Sequence, residues 1–237
     1  MIALRHVSKS FGGRVALDDV SLTVESGTTH VLLGSTGSGK STILKIILGL
    51  VRPDAGEVHV EPAARIGYVV QDGALYPHLT IARNATLPAR AAGWNEPTQA
   101  ARLRALAELV DLEAALLDLY PHELSSGQRQ RAGLVRALML DPPVLLLDEP
   151  LGSLDPIARA ELQSQLVAII GALRKTVVVV THDVREAFVF GTSITLLSRG
   201  RIVQQGTFAD LARRPAEAFV AEFLRAQAPP PAMTQYL

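Results

Sequence analysis

The chain of 237 residues has no cysteine, which excludes disulfides and thiolate metal sites and fits a reducing compartment. It also lacks an excess of either charge. Lys+Arg and Asp+Glu are 23 each, for a formal net charge of zero. A nucleic-acid binder carries a basic surplus, so nucleic acid is not an expected partner. No apolar run approaches the ~18 residues that read as a membrane span. The longest, such as Leu166 to Leu173, have core-helix length. The N-terminus, Met1-Ile2-Ala3-Leu4-Arg5-His6, lacks the apolar centre of a signal peptide. The chain is expected to be soluble by itself and to reach a membrane only by docking onto a membrane protein. Hydrophobic residues make up 48%, enough for a sizeable core in one large domain or two small ones.

One stretch organises the rest. Gly34-Ser35-Thr36-Gly37-Ser38-Gly39-Lys40-Ser41-Thr42 contains the pattern G-x-x-x-x-G-K-[ST]. The apolar strand-type run His30 to Leu33 precedes it, and Ile43 to Leu50, apolar at helical spacing, follows. Strand, loop, helix is the context that a phosphate-binding loop requires. The three glycines allow φ > 0 and bring bare N–H groups close to an anion. The helix N-terminus aims partial positive charge at the same point. Lys40 can reach the β- and γ-phosphates, and the Ser41 hydroxyl can take a place on Mg²⁺. A Gly/Ser-rich turn that merely precedes a helix is the competing reading, and eight defined positions in context outweigh it.

Along the chain, Ile2 to Val7 alternates as a strand, and Ser8 to Gly13 reads as a turn carrying Phe11. Val15–Leu17 and Ser21–Val24 read as short strands of an antiparallel sheet beside the loop. Arg52 to Gly56 carries the Pro and Gly signals that end the first helix. Glu57–Val60 and Arg65–Val70 read as two strands joined by a short hairpin. From about Leu79 to Leu140 the composition turns helical. Pro97 opens one helix with its apolar stripe at Leu103, Leu106, Ala107 and Val110. Glu113–Leu119 forms a shorter one, and Gln128 to about Leu140 a third, ended by Asp141-Pro142-Pro143. Strand-type runs then return at Val144–Leu147 and Thr176–Val180, with a helix from Asp155-Pro156 to about Arg174 between them. Asp183 caps a helix to Phe190, and Ile194–Leu197 with Arg201–Val203 form a hairpin. Pro215 opens a last helix, and the tail from Ala228 is expected to be loose.

Asp148 and Glu149 follow a buried strand directly, which places two carboxylates on the edge where parallel sheets bind ligands. There Asp148 can approach a metal and Glu149 can act as general base. A strand-end acidic pair is common turn composition, but beside such a loop the functional reading prevails. His182 follows the next buried strand and can contact a γ-phosphate. Gln71 follows the strand ending at Val70 and can coordinate Mg²⁺ or water. Taken singly, His182 is a capping or core histidine before the Asp183 helix, and Gln71 is an ordinary strand-end polar residue.

Together these residues resemble the nucleotide-binding subunit of ATP-binding cassette (ABC) transporters over nearly the whole chain. Leu124-Ser125-Ser126-Gly127-Gln128 looks like the family signature, Ser153-Leu154-Asp155 like its D-loop, Gln71 its Q-loop and His182 its switch histidine. Phe11 matches the adenine-stacking position. The resemblance implies an α/β fold: a P-loop NTPase (RecA-like) core, an antiparallel β subdomain and an inserted all-helical subdomain. Its expected division is one domain over residues 1–226, with 1–78 and 141–226 as core and 79–140 as helical subdomain, and a loose tail over 227–237. It implies a homodimer of cassettes in which Ser125, Ser126, Gly127, Gln128 and Asp155 complete the other copy's ATP site, with ATP and Mg²⁺ bound and Ser41, Gln71 and Asp148 at the metal. Such a subunit lies on the cytoplasmic face of the cell membrane.

The segment Gln71 to Ile81 resembles the importer branch. This implies that Tyr76, Pro77, His78 and Leu79 contact an integral-membrane permease; the competing reading packs them in the hinge of the helical subdomain. An extracytoplasmic substrate-binding protein is then an indirect partner. Asp141 to Ile157 and Arg214 to Val220 look most like the quaternary-amine group (glycine betaine, choline, carnitine, proline). That group often has a C-terminal regulatory domain, and with the chain ending at Leu237 osmotic sensing through one is not expected. The alternatives are an importer of another small solute, a P-loop kinase, or a non-transport ABC ATPase of DNA repair or translation. Neither the sustained heptads of the repair type nor the internal repeat of the translation type is present. Two departures stand out. Ser126 replaces the usual Gly, a strain of ~1–2 kcal/mol if that position needs φ > 0. Phe11 replaces the more usual Tyr, which costs only a hydroxyl.

Overall fold

The computed structural model describes residues 1–61, 65–152 and 154–227, the Gln71 and Asp72 side chains excepted. An antiparallel ladder comes first. Strands β1 (Ile2–Phe11) and β2 (Arg14–Val24) pair from Ile2↔Val24 to Phe11↔Arg14. The expected turn at Ser8–Gly13 is confined to Gly12-Gly13, and the two expected short strands are one. The reason is bulging: the register shifts between Leu4 and Ser10, and His6 and Asp19 take φ of 52° and 53°. Polar residues that interrupt the alternation thus stay inside the ladder.

Strand β3 (Thr29–Gly34) leads to helix α1 (Lys40–Ile47). This helix stops at Gly49, whose φ is 71°, before the Arg52–Gly56 signals. A left-handed glycine just past the last turn is a sufficient stop. Strand β4 (Ala55–Val60) pairs with β1, whereas β5 (Ile66–Val69) enters the other sheet. The two strands therefore do not pair as the expected hairpin, because they belong to different sheets.

The helical stretch holds α2 (Ile81–Ala91), α3 (Glu96–Leu109) and α4 (Ser126–Leu138), with 3₁₀ turns at Ala114–Asp118 and Pro121–Glu123. The α2 helix escaped the sequence reading because Pro88 lies inside it; its start is set by Thr80, which accepts from the Arg83 N–H. Next come β6 (Val144–Asp148), α5 (Pro156–Leu173), β7 (Thr176–Thr181), α6 (Val184–Phe190), β8 (Ser193–Ser198) and β9 (Arg201–Gly206). The chain then forms α7 (Phe208–Arg213), which the sequence reading missed, and α8 (Ala218–Ala226). The last helix starts after Glu217 and not at Pro215. A Thr207/Asp210 capping box starts α7, and Arg214 leaves helical geometry at φ −134°.

The sheets are β2-β1-β4 and β5-β6-β7-β3-β8-β9. In the larger one β5, β6, β7, β3 and β8 run parallel. Its continuously apolar strands are buried on both faces and divide by the two-residue period of a strand. Leu33, Leu145, Leu147, Val177 and Val179 pack with the helical stretch; Leu32, Leu146, Val178 and Val180 pack with α1 and the antiparallel sheet. Because β6, β7 and β3 are neighbours, Asp148, Thr181 and Gly34 end on the same edge.

His30 is buried within β3, its Nδ1 2.7 Å from Ser193 Oγ and its Nε2 2.8 Å from Thr195 Oγ1. Burial pulls its pKa from 6.5 down to about 4. The unfolded chain therefore binds the proton first. Stability is full above pH 6.5 and falls as the pH drops toward 4, by about 3 kcal/mol from this residue. Urea unfolding between pH 7 and 4.5 checks this. His30→Gln flattens the dependence in that window; an unchanged slope contradicts the assignment.

Candidate functional site

The loop between β3 and α1 forms the cradle. Gly39 caps α1 with φ 108°, and a Cβ there would lie 2.7 Å from Ala16 O and from Leu17 Cδ2. Only glycine lets the backbone turn so close to β2. The Lys40 side chain is buried, and its Nζ donates to Gly34 O at 2.8 Å and Ser35 O at 2.9 Å. Burial lowers its pKa, while Glu149 and Asp148 push it back up. The ammonium thus lies folded onto the loop's own carbonyls. Ser35, Thr36 and Gly37 are exposed, Thr42 is half-buried, and Ser38 is buried with its hydroxyl unpartnered.

A cavity of about 310 Å³ opens above the loop, lined among others by Phe11, Arg14, Thr36, Lys40, Ser41 and Glu149. Phe11 ends β1 half exposed, with Lys9 Nζ 5.3 Å from its ring centroid. Five expected site elements, namely Phe11, the loop, Lys40, Ser41 and Glu149, therefore share one cavity. Arg14, on its rim, was not anticipated.

Asp148 ends β6 and faces α1. The Ser41 hydroxyl donates to its Oδ1 at 3.4 Å and the Tyr68 hydroxyl to its Oδ2 at 3.2 Å. Burial raises the Asp148 pKa, the Tyr68 and Ser41 bonds oppose this, and Glu149 adds to it. Burial, then Asp148, pushes Tyr68 up to about 12, so its proton stays in the bond. Among the described residues no three His, Asp or Glu form a metal cage. The donors are one carboxylate and one hydroxyl. Such a sparse set suits Mg²⁺, which keeps its waters and takes phosphate oxygens as its other ligands.

Glu149 takes φ 46°, rare for a side-chain-bearing residue, and is held there by its N–H donating to Val180 O at 2.9 Å. Its Oε2 lies 3.4 Å from Nδ1 of His182, which is half exposed after β7. The structure thus brings Glu149 and His182 together at the sheet edge. The Gln71 side chain and Ser153 lie outside the described residues.

The other expected residues sit elsewhere. Ser125, Gly127 and Gln128 line a separate cavity of about 210 Å³ with Asp111, Arg131 and Glu161. Ser125 caps α4: its Oγ accepts from the Gln128 N–H, and Gln128 Oε1 accepts from the Ser125 N–H. Among the described residues no hydrogen-bond partner takes the Ser125 hydroxyl proton or the N–H groups of Ser126 and Gly127. Ser126 opens α4 and does not have positive φ, so the expected strain is absent: the capping box sets a right-handed first turn, which Ser adopts freely. Ser126→Gly is accordingly expected neither to relieve strain nor to activate. Asp155 caps α5, accepting from the Ile157 and Ala158 N–H groups.

Tyr76, Pro77 and His78 are exposed and Leu79 half-buried, with the Tyr76 and His78 rings edge to face at 5.9 Å. Fully buried Asn84 staples this segment: Tyr76 N–H donates to its Oδ1, and its Nδ2 donates to Tyr76, Leu79 and Thr80 carbonyls. Arg136 of α4 donates to Gly73 O and Ala74 O just upstream. Sequence reasoning missed Tyr68, Asn84 and Arg136, whose partners are visible only in the fold.

Tyr68→Phe keeps the ring and removes the bond to Asp148. For the expected ATPase, the Mg²⁺ concentration for half-maximal turnover should rise about tenfold, with metal-free ATP binding unchanged. An unchanged Mg²⁺ titration contradicts the role of Tyr68.

Residues 17–152 match a family model described as ABC transporter. The choline transport ATP-binding protein OpuBA of Bacillus subtilis is 42% identical over 236 residues, covering 94% of this chain and 62% of that one. The glycine betaine uptake system ATP-binding protein YehX of Escherichia coli is 41% identical, covering 94% and 76%. A probable sulfate/thiosulfate import ATP-binding protein of Chlorella vulgaris is 40% identical, covering 94% and 98%. The chain thus spans 62% of the length of the choline relative. Two solved dimeric cassettes superpose on it, covering 88% of this chain and 99% of theirs. One, a bacterial ABC transporter cassette, has a TM-score of 0.80 at 32% identity. The other, a post-hydrolysis state bound to ADP and Pi, has 0.79 at 31%.

Proposed function

The chain belongs to the ABC transporter family, and from that membership we propose that it is the ATP-binding and ATP-hydrolysing subunit of an importer for a quaternary amine or related osmoprotectant. The observation that carries the ATPase part is that Lys40, Ser41 and Glu149 line one cavity, with Asp148 accepting from the Ser41 hydroxyl beside it. Residues 1–226 act as one ABC ATPase domain, with 79–140 as its helical subdomain. Exposed loop N–H groups and Lys40 bind the β- and γ-phosphates, and Phe11 stacks on the adenine. Asp148, Ser41 and Gln71 hold Mg²⁺, which neutralises phosphate charge when bound. Glu149 takes the proton from the attacking water, and His182 holds the γ-phosphate side of the site. The signature residues lie outside the ATP cavity, so this reading assigns them to a second copy's nucleotide. There the Ser126 and Gly127 N–H groups and the Ser125 hydroxyl meet the γ-phosphate at the α4 N-terminus. Asp155 joins them from the same copy.

Among the described residues no helix is long and apolar enough to cross a membrane. The proposed membrane partner is a permease seated on Tyr76 to Leu79, with a substrate-binding protein beyond it, and the chain on the cytoplasmic face. A second reading, import of an oxyanion such as sulfate, is favoured by the Chlorella relative. Reconstitution with the permease and binding protein separates them. Choline- or betaine-loaded binding protein should raise ATP turnover several-fold; stimulation by sulfate alone would favour the second reading. Failure to copurify with a permease, together with ribosome or DNA binding, would contradict both.

A further inference from the structure

The residue that follows α8, Gln227, touches the loop that carries His182 at two points. Its Nε2 donates to His182 O at 2.9 Å, and its Oε1 accepts from the Val184 N–H at 2.9 Å. One side-chain amide thus brackets Asp183 as a neighbouring peptide group would, donor to acceptor and acceptor to donor. The Val184 N–H belongs to the first turn of α6, where no intrahelical partner exists. From inside, the same loop is held by Thr181 Oγ1, which accepts from the Asp183 N–H at 3.0 Å and donates to buried Glu186 at 2.6 Å. Asp183 Oδ1 caps Arg185 N–H at 2.7 Å. The His182 ring itself is half exposed, 3.4 Å from Glu149. Its direction is therefore set by the backbone it springs from.

We propose that Gln227 is a positioning residue for ATP hydrolysis, clamping the 181–184 loop so that His182 meets the γ-phosphate. Gln227 lines no part of the nucleotide cavity, so it acts through His182. The clamp joins the α8 helix, seated on the main core by Val220, Phe219, Phe223 and Leu224, to the phosphate-facing edge. Displacement of α8 from the core releases the loop. This rests on the ATPase reading above.

The test is a double-mutant cycle in the full chain, with ATP turnover and melting temperature both measured. Gln227→Leu keeps the shape and removes both bonds. Its kcat is expected to fall about tenfold with KM for ATP within twofold, because misplacement affects the transition state more than ground-state binding. On a His182→Ala background the same change should cost nothing further. Equal losses in both backgrounds, or no loss with the parent, overturn the clamp while leaving the ATPase reading intact. A parent chain that does not turn over ATP overturns both. Should Gln227→Leu fold poorly, Gln227→Glu keeps the bond to Val184 and sets a carboxylate oxygen against His182 O. It is expected to show the same kcat loss, and a parental kcat would again overturn the clamp. Amide exchange at Val184, faster in Gln227→Leu, reads the lost bond directly; unchanged exchange counts against it.

Discussion

Replacing Glu149 with Gln is expected to lower ATP turnover about a thousandfold while ATP affinity stays within threefold. General-base transfer contributes typically 10²–10⁴-fold, and Gln has the shape of Glu without a lone pair basic enough to take a proton. The binding groups are left alone, because Lys40 contacts the loop carbonyls and Ser41 contacts Asp148. The backbone is left alone too: Glu149 holds φ 46° through its N–H bond to Val180, which Gln keeps. Among the described residues, the one polar contact that changes is with His182 Nδ1, 3.4 Å away. Phosphate release and fluorescent-nucleotide binding measure the two quantities separately. Turnover near the parent rate would remove Glu149 as the base.

The second large effect belongs to Lys40. Lys40→Met is expected to weaken ATP binding at least 10²-fold and to abolish the rise in melting temperature that ATP gives the parent. Two charge-assisted bonds to phosphate, each worth about 1.5–3 kcal/mol, account for that loss. Without nucleotide the expected change in stability is small. Burial opposes the ammonium charge and lowers its pKa, with Glu149 and Asp148 acting against this, and among the described residues its hydrogen bonds go to the Gly34 and Ser35 carbonyls. Met fills the same channel without that desolvation cost. Thermal melts with and without ATP check both halves. A variant that ATP still stabilises fully would contradict the cradle; one that collapses without ATP would make Lys40 structural.

The phosphate loop and the Asp148-Glu149 pair were legible in the sequence because each is local: a few consecutive residues carry both the element boundary and the chemistry. Continuous apolar runs at Val144–Leu147 and Thr176–Val180 told of strands buried on both faces, and two core clusters now cover those faces. Most of what failed was non-local. A short link from Val60 to Ile66 reads as a hairpin until β5 is seen to pair with β6. Ser126 was given strain by analogy with a glycine, whereas its own neighbours Ser125 and Gln128 write a capping box. Tyr68 alternates like any strand residue, and its partner Asp148 lies 80 positions away. Gln227 meets His182 across 45 positions. Pairings of that span leave no periodic trace.

Enclosure of the nucleotide is expected to need a second copy, since the signature helix does not line the cavity above the phosphate loop. Sedimentation of the Glu149→Gln chain with saturating ATP and Mg²⁺ tests this most directly. The prediction is a monomer without nucleotide, a stable dimer with ATP, and reversion to monomer when ADP replaces it. A chain that binds ATP and stays monomeric at every protein concentration would contradict it.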